Sequence, residues 1–359
     1  MTGLCGIVRG IDILTEKKDV AVMSSTVFFK MGYRLKRLGI KGCALKVMKK
    51  MNLAHFNENE YLYQNYYTKL KEDDYAKELS DWYRMRTGRD PKYIEAPVTF
   101  NDKIQWMKLH DNTPIKAICA DKYRVRDYIE QCGLGDKLHL IPLLGAWSDA
   151  DDVDFDSLPN RFVLKQNAGS QMTCVVLDKR RIDKEKTRQM LRGWLNFTYG
   201  YMGMERQYLS CPKLIIAEEY IEEMDGNLHD YKVHCFNGEP KVIEVVGDRV
   251  IETHEAYTAF YDCDWKRLNI RTKYRTFIDY SEGQLRRPDN LDDILAVARK
   301  LSEPFMYVRV DLYNITSEEG NKIYFGELTF TPANGADEWE PESVDYEWGR
   351  MIKLPIEQN

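Results

Sequence analysis

Two short runs decide the fold that the sequence predicts, Val308-Arg309-Val310-Asp311-Leu312 and Phe325-Gly326-Glu327-Leu328-Thr329. Because side chains alternate along a strand, Arg309 and Asp311 share one face, as do Glu327 and Thr329. The turn-like residues 317–321 separate the runs, so we expect a hairpin with Asp311 opposite Glu327. Facing carboxylates repel unless a cation lies between them, and Mg²⁺ binds a few carboxylates together with phosphate oxygens. The hairpin therefore predicts a Mg²⁺ site with Arg309 beside it, and a surface ladder of ion pairs is the alternative.

A lysine and a glycine-containing loop end an earlier apolar run, Phe162-Val163-Leu164-Lys165-Gln166-Asn167-Ala168-Gly169-Ser170. An ammonium group at this place neutralises phosphate charge, and a flexible loop offers backbone N–H groups at close range. The pattern GxxxxGK[ST] is absent, so this is not a Walker A loop. We predict a phosphate-binding strand and loop, with a solvated lysine at a strand edge as the alternative.

A third apolar run continues directly into acidic residues, Leu214-Ile215-Ile216-Ala217-Glu218-Glu219-Tyr220-Ile221-Glu222-Glu223. Extended backbone here can hydrogen-bond the edge of an adenine ring, and a nearby carboxylate can hold ribose hydroxyls. The alternative is a buried strand with a solvated acidic end.

Taken in chain order, these three elements resemble the ATP-grasp superfamily. The late pair of runs resembles its RxD…ExN signature, with Thr329 in the position where Asn is usual. Further motifs, spread over roughly residues 90–355, resemble the TupA-like ATP-grasp family more specifically: Phe100-Asn101-Asp102-Lys103-Ile104-Gln105-Trp106, Asp121-Lys122-Tyr123, Asp230-Tyr231-Lys232, Cys235-Phe236-Asn237-Gly238, Phe260-Tyr261-Asp262 and Phe325-Gly326-Glu327-Leu328-Thr329-Phe330-Thr331-Pro332.

The resemblance implies ATP and Mg²⁺ as cofactors and assigns nucleotide contacts. Lys122 and Lys165 would bind the phosphates, and the loop with Gly169 and Ser170 would close over them. Lys232, on a later strand, is a further phosphate ligand by the same comparison.

The adenine hinge implied by the resemblance runs through Glu218, Glu219 and Ile221, largely by backbone groups. Asp225 or Glu222 would hold the ribose.

The metal and catalytic roles implied by the resemblance fall on the late hairpin. Asp311 and Glu327 would bind Mg²⁺, with Thr329 as a third contributor. Arg309 would be catalytic, stabilising the acyl phosphate and the tetrahedral state. Arg249 is a candidate contact for an anionic substrate, and no general base is identified.

The resemblance implies a carboxylate–amine ligase that forms an amide through an acyl phosphate. Proteins of the family are associated with capsule or cell-wall polysaccharide biosynthesis, so the expected substrates are an amino acid or peptide and a uronic acid of a surface polysaccharide or its precursor. An ATP-dependent sugar phosphotransferase, a glycosyltransferase and a nucleotide-gated scaffold are the alternatives. For the glycosyltransferase, Asp262-Cys263-Asp264 fits a DxD pattern but fits a turn equally well.

The predicted fold class is α+β: an ATP-grasp fold of two α+β subdomains that clasp ATP, with a mainly helical N-terminal extension. The expected parts are a helical, basic region (1–90), a helical region before the ATP-grasp core (91–160), a small lobe with the lysine strand and loop (161–220) and a C-terminal lobe with the metal site (221–359). Predicted strands are 161–165, 174–177, 214–220, 231–236, 241–246, 308–312 and 323–328, with helices near 183–197 and 291–302.

Charge is distributed unevenly along the chain. Residues 1–53 contain 11 Lys/Arg and 3 Asp/Glu, a balance of +8, so the net charge of −5 leaves −13 for the rest. A uniformly basic nucleic-acid binder is therefore excluded. Residues 24–53 predict an amphipathic helix with a basic stripe, which favours contact with anionic lipid or acidic glycan; an ordinary surface helix is the alternative.

Cysteine usage and hydropathy bear on localisation. The eight cysteines include no CxxC pair, which argues against a zinc site and a disulfide framework. No apolar run is long enough to cross a membrane, and charges interrupt the first residues, as they would not in a signal peptide. We expect a cytoplasmic protein, with peripheral contact at the inner face of the membrane if the basic helix binds lipid.

Overall fold

The structure is a computed structural model. It describes residues 17–51, 57–89, 94–201, 203–221, 228–250, 255–273, 277–317 and 320–357. The chain divides into two compact units, one drawn from residues 1–70 and 81–90 and the other from residues 71–80 and 91–359. In the ranges that the structure describes, no helix is long and apolar enough to span a membrane.

Helices occur throughout the described chain: α1 (Lys17–Lys50), α2 (Glu58–Asn65), α3 (Tyr75–Thr87), α4 (Phe100–His110), α5 (Pro114–Ala120), α6 (Val125–Gln131), α7 (Lys184–Leu195), α8 (Leu291–Ser302) and α9 (Ser343–Met351). The first three confirm the predicted helical N-terminal region. Helix α1 bends at Gly39, whose φ of 61° is a left-handed conformation that glycine adopts without a steric penalty.

Strands begin only after α6: β1 (Leu143–Trp147), β2 (Phe162–Gln166), β3 (Thr173–Val176), β4 (Ile215–Glu219), β5 (Asp230–Phe236), β6 (Glu239–Val250), β7 (Glu255–Tyr261), β8 (Arg267–Leu268), β9 (Arg271–Thr272), β10 (Phe277–Asp279), β11 (Tyr307–Ser317), β12 (Gly320–Thr329) and β13 (Trp339–Glu340). The seven predicted strands are confirmed to within a few residues at their ends. Strand β1, strands β7 to β10 and strand β13 were not predicted.

A small antiparallel sheet has the strand order β1-β4-β2-β3. One of its faces is apolar, with Phe162, Leu164, Ile215 and Ala217 buried in a core under helix α7. Alternation places Lys165 and Glu218 on the other face, so this sheet buries one side and keeps the second for polar groups.

A larger sheet has the order β10-β7-β6-β5-β11-β12, with β8 paired to β7. All pairs are antiparallel except β10 with β7. Its turn between β5 and β6 is Asn237-Gly238, with φ of 50° and 80°. Two positive φ angles in a two-residue hairpin are typical of an Asn-Gly pair.

The predicted helix 291–302 covers one face of the large sheet. Its buried side chains recur three and four residues apart, as an amphipathic helix requires, and include Leu291, Ile294, Val297 and Leu301. They pack with Val233, Val308 and other strand residues into the largest apolar core of this unit. The opposite face of the same strands carries a second apolar core, which includes Phe236, Val242 and Tyr307, and it also carries charged groups.

Candidate active site

A row of charged side chains crosses four neighbouring strands of the large sheet. In register order it runs from Glu244 on β6 to Lys232 on β5, then to Asp311 on β11 and Glu327 on β12. The predicted pairing of Asp311 with Glu327 is confirmed.

This row depends on two bulges, one in each hairpin. Counting back from the Asn-Gly turn would pair Lys232 with residue 243, but a register shift between His234 and Cys235 brings Glu244 opposite instead. A second shift, after Asp311, places Glu327 rather than Gly326 opposite it. A Cβ on Gly326 would lie 2.8 Å from the Asp311 carbonyl oxygen, so glycine is required at this bulge.

Asp311 is the most heavily engaged member of the row. Its carboxylate accepts hydrogen bonds from Arg309 Nε and Nη2, each at 2.7 Å, and from Lys232 Nζ, also at 2.7 Å. The bidentate arginine contact is the strong form of such a pair. Burial alone would lower the pKa of Arg309, but the carboxylate of Asp311 outweighs burial and holds that pKa far above its usual range. Arg309 therefore stays charged.

Glu327 is the most accessible carboxylate of the row, with its side chain 42% exposed against 7% for Asp311. Its Oε1 accepts a hydrogen bond from the Thr329 hydroxyl at 2.7 Å and lies 3.6 Å from Arg309 Nη2. Thr329 thus orients Glu327 in this structure, and metal ligation by Thr329 stays a prediction.

Lys232 lies between two carboxylates. Its Nζ is 2.7 Å from Asp311 and 3.4 Å from Asp230. Burial opposes the charge on Lys232, but the two carboxylates outweigh it and raise the pKa of this lysine. The role of Lys232 as a phosphate ligand stays a prediction, since its present partners are acidic side chains.

The small sheet presents the opposite arrangement, in which cations surround one carboxylate. Glu218 is buried and accepts from Lys165 Nζ at 2.7 Å and from Arg126 Nη2 at 3.0 Å. Lys165 stands on β2 and Glu218 on the neighbouring β4, as predicted, whereas Arg126 comes from helix α6.

The loop after β2 is tied to Lys122. The Lys122 ammonium donates to the Gly169 carbonyl at 2.7 Å, and its backbone N–H donates to the Asn167 carbonyl at 2.8 Å. Gly169 has a φ of 139°, and a Cβ there would lie 2.7 Å from Met172 and 2.8 Å from Tyr199. Burial lowers the pKa of Lys122, and the nearby charge of Lys165 acts in the same direction. Ser170 is exposed at the tip of the loop.

A small pocket lies beside the cationic residues, and the large sheet contributes Phe325 and Gly326 to its lining. It is lined by apolar and cationic groups together: Lys122, Arg126, Leu140, Ile141, Lys165, Glu218, Phe325 and Gly326. Apolar side chains suit the face of a nucleobase, and the cations suit phosphate oxygens. Its residues come from both sheets and from helix α6, so the site forms only when these elements are assembled.

The charges on the two sheets are complementary in sign. Beside the small sheet, Arg126 and Lys165 contact one carboxylate, Glu218, and Lys122 binds the Gly169 carbonyl. Three cations thus accompany one carboxylate, a balance of +2. Four carboxylates (Asp230, Glu244, Asp311, Glu327) accompany two cations (Lys232, Arg309) on the large sheet, a balance of −2. His234 adds no charge, because burial lowers its pKa.

These residues fit a nucleotide with a hard cation. The described chain contains no group of three or more His, Cys, Asp or Glu side chains that would hold a metal unaided. Two carboxylates, Asp311 and Glu327, are what Mg²⁺ needs when phosphate oxygens and water complete its shell. The excess cations opposite them would bind the phosphates.

Some predicted positions cannot be placed. Asp225 and Glu222 lie outside the described residues, as does the side chain of Arg249. Ile221 follows β4 as irregular, half-buried backbone.

One backbone N–H group of the predicted adenine hinge already forms a hydrogen bond within the protein. The backbone N–H of Glu219 donates to the Pro142 carbonyl at 3.0 Å. The hinge role of Glu218, Glu219 and Ile221 stays a prediction, and it must use other backbone groups.

The DxD-like segment forms a turn. The Asp262 carboxylate accepts from the backbone N–H of Asp264 at 3.0 Å and of Lys266 at 2.8 Å. Asp262 therefore stabilises its own chain reversal between β7 and β8, and the segment offers no support for a nucleotide-sugar site.

Sequence reasoning missed two members of the site, Arg126 and Glu244. Arg126 was visible only as one of several charges on a helix, and nothing local connects it with Glu218, 92 residues away. Glu244 reaches the charged face only through the bulge in β6, and simple alternation from the turn would place its neighbour there.

The turn after β12 explains the early motif at residues 100–106. Ala333, Asn334 and Gly335 all have positive φ, which is strained for the first. Helix α4 stabilises this turn through Gln105, which donates to the Gly335 carbonyl at 2.7 Å, and through Lys108, which donates to the Asn334 carbonyl at 2.7 Å. The motif thus fixes the end of the strand that carries Glu327.

Fold and site together define a nucleotide-binding protein with a split, two-sheet site of the ATP-grasp class. The family described as TupA-like ATPgrasp matches residues 102–353. This match covers well over half of the chain, and the chain belongs to the TupA-like ATP-grasp family, an ATP-grasp ligase family by class. Its cofactors are those of ATP-grasp ligases, ATP and Mg²⁺. No curated protein sequence is significantly similar to the chain.

Several solved ATP-grasp structures are similar to parts of the chain. The ATP-grasp ligase PsnB complexed with a minimal precursor is 15% identical, with 61% of this chain and 54% of that chain covered at a TM-score of 0.33. The VanG D-Ala:D-Ser ligase from Enterococcus faecalis is 12% identical, with 59% and 52% covered at 0.30. A RimK domain ATP-grasp protein from Sphaerobacter thermophilus is 10% identical, with 66% and 69% covered at 0.35. The chain thus spans about half of the first two proteins, and the family assignment rests on the sequence match.

Proposed function

We propose that the protein is an ATP- and Mg²⁺-dependent carboxylate–amine ligase. The observation that carries the proposal is the opposite charge excess of the two sheets, +2 beside the pocket and −2 across β6, β5, β11 and β12. A nucleotide triphosphate with a divalent cation is the class of ligand that satisfies both. Family membership supports the reaction type.

The chemistry proceeds in two transfers. An oxygen of the substrate carboxylate attacks the γ-phosphorus of ATP, ADP leaves, and an acyl phosphate forms. An amine then attacks the acyl carbon, phosphate leaves, and the amine loses a proton to give the amide. Mg²⁺ supplies charge compensation at the transferred phosphoryl group.

The chain's own residues supply position and electrostatics. Lys165 and Lys122 would exchange their present partners, Glu218 and the Gly169 carbonyl, for phosphate oxygens. Asp311 and Glu327 would hold Mg²⁺. For Asp311 to do so, Lys232 or Arg309 must give up a hydrogen bond to its carboxylate. Arg309, released in part, would be available to stabilise the developing negative charge, which makes it the catalytic residue of the proposal.

The substrates we propose are an amino acid or short peptide as amine and a uronic acid of a surface polysaccharide, or its precursor, as acid. Association of the family with capsule or cell-wall polysaccharide biosynthesis supports this choice. PsnB is described as an ATP-grasp ligase that was solved with a minimal precursor, and VanG is described as a D-Ala:D-Ser ligase. Both descriptions agree with amine and carboxylate substrates in general.

Purified protein is incubated with ATP, Mg²⁺, a pool of amino acids and a uronate-containing oligosaccharide, and ADP release is measured. Release that requires both an acid and an amine supports the ligase. Release with a neutral sugar alone would show a phosphotransferase, and a requirement for a nucleotide sugar would show a glycosyltransferase. Asp264→Asn, an exposed carboxylate in the turn after β7, is the matched control and should leave the rate unchanged.

A further inference from the structure

Helix α1 exposes an unusual number of large apolar side chains. Fourteen such side chains are exposed in the described chain, and seven of them lie on or just after this one helix: Phe28, Met31, Leu35, Ile40, Val47, Met48 and Met51. Phe28 is 71% exposed and Ile40 is 83% exposed. A cluster of this density on a surface marks a contact with something apolar.

Six of these side chains form two short rows, one on each side of the bend at Gly39. Before the bend at Gly39, Phe28, Met31 and Leu35 are spaced by three and four residues and share one face. After the bend, Ile40, Val47 and Met51 repeat at intervals of seven and four residues and again share a face. We call these six side chains the outer face of α1.

Folding of the N-terminal unit does not need this outer face. The inner side of α1 is already covered within the same unit, where Tyr33 is buried and the Arg37 guanidinium lies over the rings of Tyr33 and Tyr67 at 4.8 and 4.9 Å. The Arg84 guanidinium lies 4.5 Å from the ring of Phe29. The outer face is therefore a second apolar surface in addition to the one that packs.

The segment that carries the outer face is basic. Residues 28–51 contain eight Lys/Arg and no Asp or Glu. Six of these cations are exposed: Lys30, Arg34, Lys36, Lys41, Lys49 and Lys50. Lys36 is paired with Asp81, and Lys46 is paired with Glu58. Long basic side chains beside an apolar face can extend to the headgroup level while the apolar groups enter the acyl region.

We propose that the outer face of α1 binds the surface of an anionic lipid bilayer, lying in the plane of the interface. An acidic glycan matches the cations but would leave Phe28 and Ile40 in water. A second copy of the chain matches the apolar groups but would bring eight positive charges against eight. Anionic lipid satisfies both features, and the inference stands whether or not the ligase activity is as proposed.

The test is sedimentation of the full chain with vesicles. Phosphatidylcholine vesicles containing roughly a third phosphatidylglycerol should pellet the wild-type protein, and pure phosphatidylcholine should bind it at least about tenfold more weakly. The double variant Leu35→Ser with Ile40→Ser should lower the partition coefficient by about tenfold or more. The matched control, Val98→Ser with Ile356→Ser, removes two exposed apolar side chains elsewhere and should pellet like the wild type.

Charge and self-association are tested on the same proteins. Lys30→Gln with Arg34→Gln should weaken binding to anionic vesicles, and raised salt should weaken the wild type likewise. The proposal is overturned if the wild type stays in the supernatant with anionic vesicles, or if the control variant loses as much binding as the Leu35/Ile40 variant. It is also overturned if light scattering shows a dimer that the Leu35/Ile40 variant converts to a monomer, because a second copy would then cover the face. ATP-dependent ADP release with soluble substrates should be unchanged in the Leu35/Ile40 variant, which separates lipid binding from the proposed function.

Discussion

The two sheets of the larger unit hold their charged residues in different ways. On the small sheet, Lys165 and Arg126 share the single carboxylate of Glu218, and Lys122 rests on a backbone carbonyl. On the large sheet, Asp311 is engaged by three N–H donors from Arg309 and Lys232. The cations of the small sheet have weak or shared partners that a phosphate can replace. The carboxylates of the large sheet are fixed by their own cations before any metal arrives, which limits the repulsion between them.

The largest expected effect follows from removing charge on the large sheet. Glu327→Gln keeps the side-chain shape and the hydrogen bond from Thr329. It removes one of the two carboxylates that are proposed to bind Mg²⁺. We expect ATP-dependent ADP release to fall by about a hundredfold or more, because phosphoryl transfer depends on metal charge compensation. Steady-state kinetics measure this. A variant that keeps the wild-type rate would show that Glu327 is not a metal ligand.

A smaller effect is expected on the small sheet. Lys165→Met removes one of three cations and leaves Lys122 and Arg126 in place. We expect KM for ATP to rise by about tenfold, as for the loss of one charged phosphate contact. Lys266→Met, an exposed lysine in the turn before β8, is the control. Equal kinetics for both variants would remove Lys165 from the site.

Adding one methyl group at the bulge in β12 should destabilise the protein. Gly326→Ala places a Cβ 2.8 Å from the Asp311 carbonyl oxygen, so one strand must shift. The free energy of unfolding should fall by about 1–3 kcal/mol, and the ATP-dependent rate should fall with it. Gly193→Ala is the control, since no atom lies within 4 Å of its added Cβ inside helix α7. It should be neutral or stabilise the protein by up to about 1 kcal/mol in denaturant titrations.

The smallest effect concerns pH. Burial lowers the pKa of Lys122, so this ammonium loses its proton at a lower pH than an ordinary lysine does. Only the charged form attracts phosphate, so kcat/KM for ATP should decline as pH rises through that lowered pKa. In Lys122→Arg the decline should move to higher pH, because the guanidinium remains charged. An unchanged profile would mean that Lys122 does not carry charge to the nucleotide.

Local patterns in the sequence predicted the lysine strand of the small sheet and the acidic hairpin of the large sheet. They did not predict the contacts between elements that are distant in the sequence. Alternation and the turn-like residues 317–321 were enough to place Asp311 opposite Glu327, and an apolar run ending in Lys165 was enough to identify the lysine strand. Strand β1 was missed because Leu143–Trp147 contains a glycine and follows a proline-containing loop, without alternating polarity. Arg126 and Glu244 were missed because one depends on a distant tertiary contact and the other on a bulge. Such contacts have no signal within a local window.

Calorimetric titration of the protein with a non-hydrolysable ATP analogue, with and without Mg²⁺, tests the claim that the two sheets bind one nucleotide together with Mg²⁺. Wild type and Lys165→Met should both bind more tightly when Mg²⁺ is present, with Lys165→Met weaker throughout. In Glu327→Gln the gain from Mg²⁺ should be lost while binding without Mg²⁺ is kept. A gain from Mg²⁺ in Glu327→Gln equal to that of the wild type would contradict the claim.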